Sequence, residues 1–325
     1  MKLLDKNVSI ELNNKGASLK LKNKNEHLRL NSISPTTNFI LNVLFTVYCI
    51  ACMAPLILIL MVSITEQTSL AVNGYSFFPS KISFDAYRYL FNDMEKLLRA
   101  YGVTVFNCIV GTFFCVLFTM LYAYPISRKS FKYRNFFSFF MFFTMLFQGG
   151  LVPWYILYTK YLHLQNNVFA MIIPAIMNAF YVLVAKTFFT VNLPDSVLEA
   201  ARIDGASEFT IFYKIVIPMS TPVIATIALF SFLGYWNDWY LCLLFINEPK
   251  YYNLQYSMYQ ALLSLQFLTS SLASASGQTA SALANVPGET LRMAMAIIGI
   301  GPIVFAYPFF QRYFIKGLTI GAVKG

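Results

Sequence analysis

Apolar stretches, each about as long as a membrane-crossing helix, recur along this chain. Five of them carry no charged residue, and a sixth, residues 223–246, carries the single acid Asp238. The five are residues 39–62, 103–124, 136–158, 168–185 and 293–310. A helix needs about 20 apolar residues to cross a hydrocarbon core of about 30 Å. The pattern therefore predicts an all-α integral membrane protein with six transmembrane helices.

The composition supports a bilayer as the main solvent. Hydrophobic residues make up 58% of the 325-residue chain and charged residues only 12%, whereas soluble domains carry about 25% charged residues. A soluble globule and a disordered chain are both excluded. The five cysteines lie within apolar runs and without metal-ligand or disulfide spacing, so we interpret them as small buried hydrophobes. They are Cys49, Cys52, Cys108, Cys115 and Cys242.

The distribution of Lys and Arg predicts the orientation. Segments 1–38, 125–135, 186–222 and 311–325 hold 17 of the 24 basic residues, and the positive-inside rule places them in the cytoplasm with both termini. The net charge of +10 then follows from topology and anionic lipid, and no nucleic-acid binding is expected. Residues 1–38 lack the h-region and cleavage site of a signal peptide, which predicts a retained polar tail.

The predicted outer segments differ in character. Residues 63–102 contain an aromatic patch and a short amphipathic helix over 85–91, which fits either an interfacial cap or a docking surface for an outside partner. Residues 247–292 are rich in Ser and Ala from 269 to 284, which predicts a flexible loop.

The predicted inner segment 186–222 carries the most informative pattern. Pro194 suits the first turn of a short helix, Gly205 suits the left-handed position that ends it, and Ser207 can cap a second helix. The aromatic residues at 209, 212 and 213 are expected on one face of that second helix. Such a projecting element suits insertion into a groove of another protein, with a purely structural inner loop as the alternative.

This pattern resembles the EAA loop of ATP-binding-cassette (ABC) importer permeases. The residues that carry the resemblance are Glu199-Ala200-Ala201, Asp204-Gly205-Ala206, Ile215, Pro218 and Pro222. Further matches lie at residues 147–153, 235–239 and 307–314, at Gly317 and at residues 321–325. Together they narrow the resemblance to carbohydrate permeases of the maltose-permease class, and within it to the LplC-type oligosaccharide permeases of Gram-positive bacteria. It covers roughly residues 35–325, of which residues 39–325 are expected to form one transmembrane domain.

The resemblance implies the type I importer fold (MetI-like) in a bacterial plasma membrane. Residues 192–220 would contain the coupling helix that seats in a cytoplasmic ATPase, with Glu199, Ala200, Ala201, Asp204, Gly205 and Ala206 forming or positioning it. Small side chains at 200 and 201 would keep its surface thin, and Glu199 would pair with a base, of which Arg202 at i+3 is the nearest in sequence. The chain lacks a phosphate-binding loop, so ATP and Mg would be bound by the ATPase, and this chain would be no enzyme and bind no cofactor or metal. The other partners implied are a second homologous permease, the ATPase dimer, and an extracellular sugar-binding lipoprotein that delivers the oligosaccharide.

Asp238 and its neighbours form a candidate substrate path. An acid inside a span is costly and is expected to face a wet cavity or a partner. Sugars present hydroxyls and apolar C–H faces, which suit a mixture of amide, carboxylate and aromatic side chains. The candidates are Tyr235, Trp236, Asn237, Asp238 and Trp239, and in the third span Gln148 and Trp154. The alternative is that these polar groups bond across helices and hold the bundle together.

Two other functional classes are disfavoured. A membrane enzyme would need paired acids, a metal cluster or an activated nucleophile, and the two histidines, His27 and His163, are predicted on opposite sides of the membrane. A secondary transporter would show several intramembrane charges or an inverted repeat. An importer permease for a non-sugar solute remains the nearer alternative.

Overall fold

The computed structural model describes residues 34–273 and 288–322, and most of these residues are helical. The α-helices are α1 (Pro35–Ser63), α2 (Gln67–Asn73), α3 (Asp85–Asn92), α4 (Met94–Ser127), α5 (Arg134–Leu146), α6 (Leu151–Ile156), α7 (Phe169–Ile172), α8 (Ala179–Asn192), α9 (Asp195–Ile203), α10 (Glu208–Ile211), α11 (Ile217–Met219), α12 (Thr221–Trp236), α13 (Tyr240–Phe245), α14 (Leu254–Ala273) and α15 (Gly288–Ala322). Turns of π-helix at Leu157–Tyr161 and Phe212–Val216 extend α6 and α10. The all-α architecture predicted from the apolar pattern is confirmed.

The spans are less continuous than the pattern predicts. On length and composition, α1 and α4 can each cross a membrane, and the number rises to five if each of three bent helix pairs counts as one span. The pairs are residues 134–161, bent by 111°, residues 169–192, bent by 47°, and residues 208–236, bent by 79°. The sixth predicted stretch, 293–310, lies within the 35-residue α15.

Local sequence accounts for the breaks in the predicted spans. In 136–158 the chain leaves the helix at Phe147, and Gly150 follows with φ 86°. In 168–185 the helix ends soon after Pro174, and Asn178 caps α8 by accepting from the Phe180 amide at 2.9 Å. In 223–246 helix α12 ends at Trp236, and the chain turns before α13. Each of these three predicted spans is therefore interrupted by a break in the helix.

Helix α4 lies at the centre of the packing within residues 58–322, against α12 and α8. Gly111 permits one close approach, because a Cβ there would lie 2.4 Å from the Tyr235 ring. One core cluster joins Met120 and Tyr124 of α4 to Phe189 of α8 and continues into Leu198 of α9. The segment 192–220 is thus built onto the main core.

Several other predictions from the sequence can be compared with the structure. The predicted loop 247–292 contains the 20-residue helix α14, so its first half is not a loop. The amphipathic helix predicted over 85–91 is confirmed as α3. Of the cysteines, Cys49 and Cys52 are exposed on the chain and the other three are buried. Most of the tail, most of the Ser/Ala-rich stretch 269–284, the side chains at 309–314 and residues 323–325 lie outside the described part.

Candidate functional site

Residues 194–219 form two short helices joined by a tight turn, named here the α9–α10 element. Pro194 precedes the first residue of α9. Gly205 ends α9 with φ 79°, in the left-handed region that costs a residue with a Cβ roughly 1–2 kcal/mol. The Ser207 hydroxyl then caps α10 by accepting from the Thr210 amide at 3.3 Å. The sequence predicts all three features, because each depends on neighbours in the chain.

The α9–α10 element has a buried face and an exposed face. Leu198 and Ala201 are buried in the cluster that contains Phe189, whereas Glu199 and Ala200 are exposed. Small size at Ala201 therefore serves packing against the core, which corrects the expectation that both alanines thin the outer surface.

The exposed face of the element also carries apolar side chains. Ile203 is 86% exposed and Phe209 is 72% exposed, and Val197 and Tyr213 are exposed as well. Phe212 instead is buried, so the three aromatic residues expected on one face are divided between two. Asp204 and Gly205 lie on the exposed side, and Ala206 is half-buried. Exposed apolar patches of this kind mark sites of contact with another protein or with a membrane.

Arg202 bonds across the Gly205 turn and not along its own helix. Its Nε donates to Oε1 of Glu208 at 2.8 Å, and among the described residues Glu199 forms no ion pair. The expected Glu199–Arg202 pair is therefore wrong. Glu208 also accepts from the Tyr124 hydroxyl at 3.2 Å, and the Arg202 bond is the main cause that holds the pKa of Glu208 below its usual range. This network ties α10 to α4.

A second tie, not anticipated from the sequence, runs through Arg128. Its guanidinium donates from Nη1 to Asp195 at 3.1 Å and from Nη2 to the Phe189 carbonyl oxygen at 2.7 Å. Arg128 is only 6% exposed, and burial lowers the pKa of its guanidinium while Asp195 opposes that change. Arg128 follows the last residue of α4, so it joins α4, the end of α8 and the start of α9. From the sequence alone, Arg128 is one of the four basic residues of segment 125–135 that predict the orientation of the chain.

Of the path candidates, Tyr235 and Trp236 are buried and bond across helices. The Tyr235 hydroxyl donates to the Ile172 carbonyl at 2.9 Å, and Trp236 Nε1 donates to the Gly299 carbonyl at 3.0 Å. These contacts match the alternative in which such residues hold the bundle together.

Asn237 and Asp238 bond to nearby backbone. The Asn237 amide donates to the Leu233 carbonyl at 2.9 Å, and Oδ1 of Asp238 accepts from the Leu241 amide at 3.1 Å. The other oxygen of Asp238 is buried and has no partner among the described residues. The side-chain amide of Asn253 donates to the Asp238 carbonyl oxygen at 2.5 Å, which attaches this turn to the start of α14.

Trp239 faces a cavity of about 420 Å³, named here the Trp239 cavity. The Trp239 and Tyr259 rings have centroids 4.6 Å apart, and the amides of Asn237 and Gln255 lie in the same wall. The complete lining is Trp236, Asn237, Trp239, Gln255, Met258, Tyr259, Leu262, Arg292, Met295, Ala296, Gly299, Ile300 and Ile303. The helices α14 and α15 supply Gln255 and Arg292, which lie too far along the sequence from 235–239 for spacing to reveal them.

Gln148 and Trp154 are not part of that cavity. Trp154 packs against Tyr158 and Phe245 with ring centroids 5.6 and 5.3 Å away, and Gln148 is exposed in the break between α5 and α6. The structure therefore does not bring the two groups of path candidates together. Among the described residues, no group of three His, Cys, Asp or Glu side chains could hold a metal ion.

Comparison with known proteins gives the family of this chain. The family model described as "Binding-protein-dependent transport system inner membrane component" matches residues 30–320. The chain is 37% identical to the protein LplC of Bacillus subtilis, with 83% of the chain and 89% of that protein aligned. It is 33% identical to the polygalacturonan/rhamnogalacturonan transport system permease protein YtcP of the same organism, with 86% and 94% covered. The arabinooligosaccharides permease AraQ of Halalkalibacterium halodurans is 30% identical, with 90% and 98% covered.

A solved structure gives the same result. A chain of a bacterial ABC transporter "involved in the import of the acidic polysaccharide alginate" superposes with a TM-score of 0.72 at 28% identity, covering 87% of this chain and 98% of that one.

Proposed function

This chain belongs to the family of binding-protein-dependent transport system inner membrane components, and from that premise we propose that it couples oligosaccharide import to ATP hydrolysis through the α9–α10 element. It is the permease subunit of a sugar ABC importer, a multi-pass protein of the plasma membrane and not an enzyme. The coupling route, an oligosaccharide as the cargo, and the partner proteins are what we propose beyond this family assignment.

The exposed face of the α9–α10 element carries the coupling part of the proposal. The apolar residues Ile203 and Phe209 and the acids Glu199 and Asp204 are exposed on this element, and its opposite side packs against the core. A cytoplasmic ATPase that covers this face would move α9, and the bonds of Arg128 and Glu208 would transmit the movement to α4. Closure of an ATP-bound ATPase dimer would thus rearrange the bundle, and hydrolysis would reset it.

The remaining partners complete the proposed assembly. A second, homologous permease subunit would form the other half of the path, and an outside sugar-binding lipoprotein would deliver the cargo. Both termini would lie in the cytoplasm, on the side of the ATPase dimer that binds ATP and Mg. Membrane lipid would surround the exposed apolar helices.

The Trp239 cavity supports an oligosaccharide as the cargo. Flat aromatic rings and side-chain amides recognise the C–H faces and hydroxyls of sugars, and Trp239, Tyr259 and Gln255 provide both in one wall. The names of the relatives include permeases for polygalacturonan/rhamnogalacturonan and for arabinooligosaccharides, and the solved transporter imports the acidic polysaccharide alginate, so kinship alone leaves the chemical class of the sugar open.

The decisive experiment measures ATP hydrolysis by the complete complex in lipid, with its binding protein and a panel of oligosaccharides. We expect one class of oligosaccharide to stimulate hydrolysis severalfold over the rate without sugar. A complex that hydrolyses ATP but responds only to monosaccharides would contradict the oligosaccharide assignment. Failure of any ATPase to associate with the chain would contradict the coupling assignment.

Variants of Trp239 and Trp236 distinguish a role in the substrate path from a role in holding the bundle together. We expect Trp239→Ala to lower sugar uptake strongly without loss of assembly, because Trp239 is partly exposed in the cavity wall. Trp236→Ala should instead reduce the yield and melting temperature of the complex, since truncation of a buried Trp costs about 3–5 kcal/mol. Uptake and melting temperature are measured for both variants. Normal uptake by the Trp239 variant would remove this wall from the path.

A further inference from the structure

Arg292 is the one charged side chain among the described residues that line the Trp239 cavity. It lies in the first turns of α15, directly before the predicted span 293–310. The other polar groups of the lining, Asn237 and Gln255 among them, are uncharged. A guanidinium in an otherwise aromatic, amide and aliphatic wall offers this cavity charged N–H donors of the kind that bind an anionic group.

An ion pair with Glu289 holds the Arg292 side chain in position. Its Nη1 lies 3.1 Å from Oε1 of Glu289, and Glu289 in turn accepts from the Tyr75 hydroxyl at 2.9 Å. An arginine has five N–H donors in a planar fork. The described bonds of Arg292 use only Nη1, which leaves donors on Nη2 and Nε for a second acceptor.

The cavity combines this fork with surfaces suited to a sugar ring. The Trp239 and Tyr259 rings pack together at a tilt of 33°, and Gln255 and Arg292 lie in the same lining. A pyranose ring bound on the aromatic wall also carries an exocyclic carbon. A carboxylate at that carbon distinguishes a uronic acid from a neutral hexose.

We propose that the Trp239 cavity binds an acidic oligosaccharide, with Arg292 donating hydrogen bonds to the carboxylate of a uronic acid residue. This inference rests on the proposed function, since it names the class of sugar that the same cavity takes. Arginine suits the task better than lysine because its two parallel N–H groups match the two carboxylate oxygens. Glu289 keeps the guanidinium in place and does not occupy the cavity lining itself.

The test is equilibrium binding of labelled sugars to the complete transporter complex in detergent, without the binding protein, so that only the permease selects. The two probes are an oligouronide and its carboxyl-reduced neutral counterpart of the same length. The unmodified complex should bind the oligouronide about 10- to 100-fold more tightly, the range expected for hydrogen bonds to a charged group. Arg292→Gln should remove this preference, and Arg292→Lys should keep part of it.

The matched control is Arg88→Gln. Arg88, like Arg292, pairs with an acid three residues earlier, Asp85, at 3.2 Å, but it is absent from the cavity lining. Its substitution should leave both affinities unchanged.

The outcomes separate this inference from the proposed function. Equal binding of the two sugars, or a preference that survives Arg292→Gln, would overturn the role of Arg292 and leave the cavity as a sugar path. Binding of neither sugar to a complex whose ATPase still responds to a loaded binding protein would overturn both the inference and the placement of the path in this cavity, while leaving the importer assignment intact.

Discussion

Replacement of Gly205 by valine is expected to uncouple the ATPase from the permease. Gly205 has φ 79°, and no other atom lies within 4 Å of a Cβ built there. The substitution therefore acts through backbone strain and not through a clash. The chain would escape a cost of roughly 1–2 kcal/mol by opening the turn, which separates α9 from α10 and breaks the exposed face. Sugar-stimulated ATP hydrolysis should fall on the order of tenfold or more, measured on the complex in lipid.

Gly74 provides the matched control for this variant. It ends α2 with φ 71° and ψ −169° and, like Gly205, has open space around its Cβ position, so Gly74→Val also strains the backbone without a clash, at a site far from α9 in sequence. We expect the ATPase subunit to co-purify normally with the Gly74 variant and poorly with the Gly205 variant. Equal retention of the ATPase by both variants would mean that the turn at Gly205 does not shape the docking surface.

The sequence predicts those parts of the site that depend on neighbouring residues. The turn at Gly205 and the cap at Ser207 are examples, because φ and a capping bond are set within a few positions. The partner of Arg202 is different. Spacing favours Glu199 on the same helix, but the turn carries Glu208 back to within 2.8 Å. Only the conformation of the turn decides between these acids.

The same limit explains the residues that the sequence did not reveal. Arg128 and the Phe189 carbonyl are 61 positions apart, and a basic residue after an apolar run is accounted for by membrane topology alone. Arg292 joins the Trp239 cavity only because α15 packs against α12. The apolar pattern likewise locates the helical segments without showing that residues 134–161 bend by 111°, since both halves of a broken span are equally apolar.

Replacement of Arg128 by alanine is expected to have the second large effect. The bond to the Phe189 carbonyl is buried, and a hydrogen bond to a charged group contributes about 1.5–3 kcal/mol. The bond to Asp195 contributes less, because the Asp195 side chain is 57% exposed. Without Arg128, the start of α9 is no longer fixed to the ends of α4 and α8. Amide hydrogen exchange over residues 189–200 should rise, and sugar should no longer stimulate ATP hydrolysis fully.

Arg128→Lys and Lys129→Ala provide the controls for this result. Lysine keeps the charge opposite Asp195 but lacks the fork that reaches two acceptors at once, so it should give intermediate exchange and intermediate stimulation. Lys129 is the adjacent exposed base, and its removal alters the orienting charge of the segment without breaking a described bond, so both quantities should stay normal. If Arg128→Ala left exchange and stimulation at normal values, the movement of α9 would have to reach α4 through the Tyr124–Glu208 bond and the packing of Leu198 instead.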